Sequence, residues 1–166
     1  MKKISVITVC LHEVKLIEKT LTSVINQTFK DFEFIVVDGV STDGTLDIIE
    51  KYRDDIDKFV SEKDGGIYDA MNKGIKLAEG EYVIFINGGD YLVNENIFQK
   101  VFDSNPTEDI IYGDGLIVYN KWLVRKRSSR KPSHLFLFFD TIPHQSSLIK
   151  KNLFDNAGYY DLKYPI

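Results

Sequence analysis

The sequence contains a single cysteine, Cys10, among its 166 residues. One cysteine cannot form a disulfide within the chain, which excludes the small disulfide-stapled secreted domains and favours a cytoplasmic location. The sequence also lacks any apolar run near the roughly 20 residues that a membrane-spanning helix needs. Its N-terminal apolar run is short and is interrupted by Ser5 and Thr8, so we interpret it as a core strand and not as an export signal.

Strong charge of either sign is also absent, because 21 Lys and Arg residues against 25 Asp and Glu residues leave a net charge of −4. This balance excludes a chain that binds nucleic acid through its overall charge. The charge is unevenly placed, however, since residues 121–131 contain six basic side chains and no acid. Such a basic run is usual for a solvated face, but it also suits an acidic acceptor or a peripheral contact with an anionic membrane surface. The six residues are Lys121, Arg125, Lys126, Arg127, Arg130 and Lys131.

Short apolar runs alternate with segments of helical periodicity over the first part of the chain. Residues 4–9, 32–37 and 82–86 predict buried strands, and residues 58–61 predict a further short strand. This alternation predicts an α/β fold with a doubly wound, mostly parallel sheet and helices on both faces. After Asn105 the pattern changes to shorter candidate strands, which we expect to form a small antiparallel part. These candidates are residues 110–112, 116–119, 123–125 and 146–149.

An acidic residue follows each of the four predicted parallel strands, and glycines flank three of them. The acids are Glu13, Asp38, Asp64 and Asp90. Because the carboxyl ends of parallel strands lie at one edge of a sheet, we expect these residues to share the edge where such folds bind ligands. A carboxylate there can hold a metal or accept a hydrogen bond from a base or ribose, and glycine allows a ligand to approach the backbone.

A series of motifs resembles the family-2 glycosyltransferases, which have the GT-A fold. The most extensive are VVDGVSTDGT at residues 36–45, GIYDAMNKG at residues 66–74 and GEYVIFINGGD at residues 80–90. Each motif is weak alone, but their order along nearly the whole chain is specific. Further matching segments are residues 4–9, 27–29, 143–146 and 158–161.

The resemblance implies transfer of a sugar from a nucleoside-diphosphate sugar, usually UDP-linked, to a glycan or lipid-linked glycan, with inversion and with Mn²⁺ or Mg²⁺. It implies that Asp38 contacts the base. It also makes Asp90 the metal ligand and a catalytic residue. Asp90 is the one carboxylate of its loop, because Asn87 and Gly89 stand at positions where the family frequently has acids. The other residues expected to contact the nucleotide sugar are Val9, Leu11, Glu13, Asp64, Asn72, Gly88 and Gly89.

The same resemblance implies a nucleotide-sugar-binding half at residues 1–105 and a partial acceptor-side region of the same domain at residues 106–166. The family's general base lies shortly beyond the segment at residues 158–161, so we expect a truncated chain that binds donor and transfers sugar poorly. His144 is then the remaining candidate base.

The candidate site residues also have structural interpretations. Asp38 and Asp64 could cap a loop or a helix, and Asn72 could bond to a neighbouring loop. Asp90 could be a helix N-terminal charge that the helix dipole favours.

Three other interpretations stay open. A truncated domain could bind donor without transferring sugar. A sugar-phosphate nucleotidyltransferase shares the doubly wound fold, although it should carry a glycine-rich phosphate loop after the first strand, where residues 10–13 contain no glycine. A phosphoacceptor receiver domain would need its key aspartate after the third strand together with acids after the first, and the motifs fit that pattern poorly.

Overall fold

The computed structural model describes residues 1–119, 122–126 and 143–164, with the backbone alone for residues 119 and 122–126. Strands and helices alternate along most of the chain, as the apolar pattern predicts. The first eight elements are β1 (Ile4–Cys10), α1 (Ile17–Ile25), β2 (Phe32–Asp38), α2 (Thr45–Lys51), β3 (Lys58–Ser61), α3 (Ile67–Leu77), β4 (Tyr82–Phe85) and α4 (Ile97–Phe102). The remaining elements are β5 (Ile110–Tyr112), β6 (Gly115–Tyr119), β7 (Trp122–Lys126), β8 (Ser147–Lys150) and α5 (Lys151–Ala157), with short 3₁₀ turns at Arg53–Asp55 and His144–Ser146.

Six strands form one sheet in the order β3-β2-β1-β4-β8-β5. β1 lies in the middle and pairs in parallel with both β2 and β4, while β2 pairs in parallel with β3. Every residue of β1 is buried, which is typical of a parallel strand covered on both faces. β8 is antiparallel to β4 and to β5, so the sheet is mixed on that side. The predicted mostly parallel, doubly wound sheet is confirmed.

Helices cover both faces of the sheet, and each face has its own hydrophobic core. Helices α1, α2 and α4 pack on one face, where Leu21, Ile49 and Phe98 are fully buried. Helices α3 and α5 pack on the other face through Met71, Ile75 and Phe154. Helix α3 approaches β1 closely, because a Cβ atom at Gly74 would lie 2.5 Å from Ile7 Cγ2. The absence of a side chain at Gly74 therefore allows this close packing of α3 on β1.

The later strands differ in detail from their predicted bounds. β5 and β8 extend the main sheet, whereas β6 and β7 form a separate antiparallel ribbon. Helices α4 and α5 are not predicted from the sequence, since each is short and gives a weak periodic signal. The division at residue 105 stays a prediction. Among the described residues, no helix combines the length and apolar character needed to cross a membrane.

A buried carboxylate ties the sheet together near the amino ends of the strands. Glu33 Oε1 accepts hydrogen bonds from Ser5 Oγ at 2.6 Å and from the backbone N–H groups of Glu79 and Gly80. Glu33 Oε2 pairs with Lys58 Nζ at 2.8 Å. Burial alone would raise the pKa of Glu33, but the hydrogen bonds from Lys58, Ser5 and the Glu79 N–H outweigh it and lower the pKa. This network holds the turn between α3 and β4.

Candidate active site

The loops that follow β1 to β4 meet at one edge of the sheet, as predicted. Cys10 and Asp38 are direct neighbours at the ends of β1 and β2, and Asp38 is the neighbour of Ser61 at the end of β3. Backbone hydrogen bonds continue the ladder beyond the strands, from Gly39 N to Cys10 O at 3.0 Å and from Gly88 N to the oxygen of Val9 at 2.9 Å. The acids after the four strands therefore lie along a common edge.

Asp38 is fully buried at this edge, and protein donors occupy its carboxylate. Its Oδ2 atom accepts hydrogen bonds from Ser41 N at 2.9 Å and from Ser61 Oγ at 2.8 Å. The Cys10 thiol lies 3.7 Å from Oδ1, and burial followed by the Asp38 charge raises the pKa of that thiol well above its ordinary value. Protein donors thus bond to Oδ2, and the predicted role of Asp38 in base recognition stays a prediction.

Asp64 presents a more accessible carboxylate. It is partly exposed at the start of the loop that leads into α3, and its Oδ1 atom accepts a hydrogen bond from Gly66 N at 2.9 Å. Its Oδ2 atom lies 2.8 Å from the point where a Cβ atom at Gly39 would be, and Leu11 Cδ1 lies 3.3 Å from the same point. The absent side chain of Gly39 thus lets Asp64 and the half-exposed side chain of Leu11 pack closely on either side of this backbone position. The structure brings together these two predicted site residues.

Two other predicted nucleotide-contacting residues are occupied within the protein. The side chain of Val9 is buried in the core beneath α3. The Asn72 amide, which is 7% exposed, donates to Tyr160 O at 2.9 Å and accepts from Tyr160 N at 3.0 Å. The Tyr160 ring also stacks on Tyr68, with 5.1 Å between ring centroids. Asn72 therefore attaches the segment after α5 to α3, and its contact with a nucleotide stays a prediction.

The loop after β4 places Asp90 close to His144. Burial raises the pKa of Asp90, while the neighbouring His144 and hydrogen bonds from the Gln145 side chain and the Asn87 backbone oppose that rise. Burial likewise lowers the pKa of His144, against the influence of the Asp90 charge. The Asn87 Nδ2 atom lies 3.2 Å from His144 Nε2, and the His144 ring meets the Phe85 ring edge-on. Two residues 54 positions apart that were predicted to be catalytic therefore lie in one polar cluster.

The oxygen donors in this cluster fit a divalent ion held mainly by substrate. Within the described residues, no group of three His, Cys, Asp or Glu side chains could hold a metal ion. Asp90 nevertheless supplies one carboxylate, and Asn87 Oδ1 is buried with no hydrogen-bond partner among the described residues. Mg²⁺ prefers oxygen ligands and is commonly bound by one or two carboxylates together with substrate phosphates. Asp90 and Asn87 Oδ1 are therefore oxygen donors of the kind that Mg²⁺ takes, and their role in metal binding stays a prediction.

The first loop, residues 11–14, packs directly against the Asp90 loop. A Cβ atom at Gly88 would lie 2.8 Å from Glu13 Cγ and 3.0 Å from Cys10 Cβ. Gly89 has a φ of +93°, a conformation that favours glycine. The Glu13 side chain therefore lies over the two glycines that precede Asp90. This contact brings together three more of the predicted nucleotide-contacting residues.

Sequence reasoning missed the side chains that hold the first loop. Two residues of the loop after β2 and the first residue of α2 accept hydrogen bonds from three successive backbone N–H groups of the first loop. The pairs are Ser41 Oγ with His12 N at 2.8 Å, Thr45 Oγ1 with Glu13 N at 2.8 Å, and Asp43 Oδ2 with Val14 N at 3.1 Å. The sequence presents these residues as an ordinary turn before a helix. The local pattern contains no signal for bonds that span about thirty positions.

The basic run lies largely outside the described residues. Lys121, Arg127, Arg130 and Lys131 are not described, and Arg125 and Lys126 are placed in β7 by their backbone alone. The predicted contact of this run with an acidic acceptor or a membrane surface therefore stays a prediction.

A sequence model of glycosyl transferase family 2 matches residues 5–160 of the chain. The chain is a member of glycosyl transferase family 2. This family member is 31% identical over 168 residues to the PGL/p-HBAD biosynthesis glycosyltransferase of Mycobacterium bovis (strain BCG / Pasteur 1173P2). The alignment covers 98% of this chain and 64% of that protein. It is also 40% identical over 102 residues to the poly(ribitol-phosphate) beta-N-acetylglucosaminyltransferase TarS of Staphylococcus aureus (strain Mu50 / ATCC 700699). That alignment covers 58% of this chain and 18% of TarS. The chain thus spans about 64% of the length of the mycobacterial relative.

Solved structures of other glycosyltransferases share the fold. The crystal structure of S. aureus TarS 1-349 in complex with UDP-GlcNAc matches with a TM-score of 0.79 and 28% sequence identity, covering 96% of this chain and 48% of that chain. A mannosyltransferase from Pyrobaculum calidifontis, solved in complex with GDP-Man and Mn²⁺, matches with a TM-score of 0.72, 18% identity and the same coverage of both chains. The GT-A fold of this family 2 member is therefore confirmed.

Proposed function

We propose that this chain forms the donor-binding part of an inverting, metal-dependent glycosyltransferase that takes a sugar from a UDP-linked donor and transfers it to a glycan or lipid-linked glycan. The proposal rests mainly on the placement of Asp64 and Asp90 along one edge of the sheet. The first loop contacts both regions, through Leu11 beside Asp64 and through Glu13 beside the glycines that precede Asp90. Membership of glycosyl transferase family 2 supports sugar transfer. The complex of the related TarS with UDP-GlcNAc supports a uridine nucleotide.

The two ends of the edge suit the two ends of a nucleotide. Beside Gly39 lie the half-exposed apolar side chain of Leu11 and the partly exposed carboxylate of Asp64, a pair that suits a flat base whose N–H groups donate hydrogen bonds. The Asp90 end contains a partly buried carboxylate, which burial leaves poorly stabilised as an anion. Asp90 and Asn87 Oδ1 would hold the Mn²⁺ or Mg²⁺ ion. When bound there, the ion would offset the negative charge that develops on the leaving diphosphate.

His144 is the described residue best placed to accept the proton of an attacking hydroxyl. Its lowered pKa favours the neutral imidazole near neutral pH, which is the form that can act as a base. The Asn87 Nδ2 atom, a donor, lies 3.2 Å from His144 Nε2, which makes Nε2 the unprotonated nitrogen of the neutral ring. Nε2 would therefore take the proton, with the acceptor hydroxyl replacing the Asn87 contact. The hydroxyl oxygen would then form a bond to the anomeric carbon while the bond to the diphosphate oxygen breaks, which inverts that carbon.

The acceptor side of the proposal rests on less of the chain. We propose that the basic run from Lys121 to Lys131 meets an acidic acceptor or the anionic inner face of a membrane from the cytoplasm, at about 1 kcal/mol per basic residue near such a surface. TarS is named for an acceptor that contains phosphate, which is consistent with this charge. A domain that binds donor without transferring sugar is the second candidate.

Nucleotide binding and sugar transfer are tested separately. The chain is titrated with UDP, uridine and GDP, with and without Mn²⁺, by calorimetry and by thermal unfolding. A nucleotide at about 100 times its Kd should add about 2.7 kcal/mol to the free energy of unfolding. No change with any nucleotide would refute the proposal.

Variants then assign the two ends of the nucleotide. Asp64→Asn should weaken both UDP and uridine, whereas Asp90→Asn should remove the Mn²⁺-dependent part of UDP binding and leave uridine unchanged. Asp47→Asn, on the exposed face of α2, is the matched control. Release of UDP from UDP-GlcNAc in the presence of glycan acceptors measures transfer. Binding without release would support the donor-binding candidate.

His144→Gln tests the base. If His144 is the general base, this variant should lower the rate of UDP release about 10²- to 10⁴-fold while UDP binding is retained. A variant that releases UDP at the wild-type rate would exclude His144.

A further inference from the structure

The first loop, residues 11–14, carries a backbone conformation that it does not hold by itself. His12 has a φ of +55°, which L-residues adopt at a cost. The N–H groups of residues 12, 13 and 14 donate to side chains in the segment from the loop after β2 to the start of α2. We name the three accepting residues, Ser41, Asp43 and Thr45, the loop clamp. The conformation of the first loop therefore depends on residues about thirty positions away in the sequence.

The loop clamp is itself held rigidly. Asp43 Oδ1 accepts hydrogen bonds from Thr45 N at 3.0 Å and from Thr45 Oγ1 at 2.6 Å, and these bonds are the leading cause of the lowered pKa of Asp43. Ser41 N donates to the buried carboxylate of Asp38, whose second donor is Ser61. Ser41 and Thr45 are buried. A continuous set of hydrogen bonds thus runs from the end of β3, through Asp38, to the first loop.

The first loop contacts both ends of the proposed donor site. Leu11 borders the space beside Gly39 and Asp64, where the base is proposed to lie. Glu13 lies over Gly88, in the loop that carries Asp90. A change in the conformation of the first loop would therefore alter the base end and the diphosphate end together. Since the clamp residues bond to the backbone of that loop, they can act on the donor without touching it.

We infer that Ser41, Asp43 and Thr45 are positioning residues that set the first loop for binding of the donor nucleotide. The inference rests on the proposed function. It predicts that loss of a clamp bond weakens donor binding without changing the chemical step, because no clamp residue approaches His144 or Asp90 in a described contact. It also explains why positions 41 and 45 carry polar residues, Ser41 and Thr45, although both side chains are buried.

The main test uses two substitutions at one residue. Thr45→Val keeps the shape of the buried side chain but removes the hydroxyl that bonds to Glu13 N and Asp43. Thr45→Ser keeps the hydroxyl and should behave like the wild type. For Thr45→Val, the Kd for UDP and the donor KM should rise roughly 5- to 30-fold, the effect of losing one or two hydrogen bonds, while kcat at saturating donor changes little. Thr22→Val, at an exposed position of α1, is the control.

Asp43→Ala provides a second variant, because Asp43 is exposed and its loss leaves the core intact. Hydrogen exchange supplies a readout that needs no ligand: amides of residues 12–14 should exchange faster in Thr45→Val and Asp43→Ala, whereas amides of β1 should not. Unchanged exchange and unchanged UDP affinity in both variants would overturn the inference. A fall in kcat with an unchanged KM would also overturn it. If the wild-type chain binds no nucleotide, the proposed function fails, whatever exchange shows for the first loop.

Discussion

Gly88 offers a direct test of the packing between the first loop and the Asp90 loop. In Gly88→Ala the new methyl group would lie 2.8 Å from Glu13 Cγ and 3.0 Å from Cys10 Cβ. Both distances are shorter than van der Waals contact, and neither neighbour is the free end of a side chain. Glu13 N is bonded to Thr45 Oγ1, and Glu13 O accepts from the N–H groups that begin α1, so the backbone of Glu13 cannot move away freely.

The expected cost is that of an overpacked core position, about 1–3 kcal/mol in the free energy of unfolding. For a chain of this length, each kcal/mol lowers the melting temperature by about 2–4 °C. Because the strain pushes the first loop away from the Asp90 loop, Gly88→Ala should also weaken UDP binding. Differential scanning calorimetry and a UDP titration of the same sample measure both effects. Gly113→Ala is the matched control, since an added Cβ there would meet no atom within 4 Å.

A double-mutant cycle separates strain against Glu13 from a general effect of alanine. Glu13→Ala removes the Cγ atom that lies nearest to the new methyl group, so the double variant should be more stable than the sum of the two single changes predicts. The remaining contact with Cys10 should leave part of the cost. A Gly88→Ala variant that melts with the wild type and binds UDP equally well would refute the packing argument, as would strict additivity in the cycle.

Three further predictions concern stability. Glu33→Gln should cost about 1.5–3 kcal/mol, the range for hydrogen bonds to a charged group, while the exposed Glu50→Gln should cost almost nothing in urea unfolding. Because the pKa of Glu33 is lowered on folding, its contribution is complete above about pH 4.3 and is lost as the pH falls through its folded pKa, so the gap between wild type and Glu33→Gln should close in acid. Val40→Gly should stabilise the chain by about 1 kcal/mol, because Val40 is an exposed β-branched residue with a φ of +65°; a lower melting temperature would contradict this. Asn72→Ala should speed proteolysis near Tyr160 and cost about 1–3 kcal/mol, because it leaves the Tyr160 N–H and C=O unpaired.

The parallel part of the fold could be predicted because its signals are local. Each of β1 to β4 is a short apolar run, and an acid or glycine after each run marks the point where the strand ends. The shared edge of the four loops follows from parallel pairing alone. The position of β8 between β4 and β5 could not be predicted, since it depends on pairings such as Val83 with Ile149 that connect distant parts of the chain.

The roles of the acids could be predicted less well than their positions. In the sequence, Asp38 and Asp90 look alike, because each follows a buried strand, Asp38 at once and Asp90 after a short glycine-containing loop. The sequence does not show that Ser41 and Ser61 would both bond to one carboxylate, or that His144 would approach the other. Hydrogen bonds from side chain to side chain across 23 to 57 positions leave no periodic pattern. For the same reason, the loop clamp is visible only in the structure.

Asp38 and Asp90 differ in how much a bound cation would stabilise their charge. Asp38 is more deeply buried than Asp90, yet its charge is already stabilised by two donors at 2.8 and 2.9 Å. Asp90 is left with a raised pKa, which means that its surroundings do not fully offset the cost of burying its charge. A cation placed beside Asp90 would remove that deficit, whereas one placed beside Asp38 would first have to displace the serine donors. The raised pKa of Asp90 therefore supports the proposal that Asp90, and not Asp38, is the carboxylate that holds the metal ion.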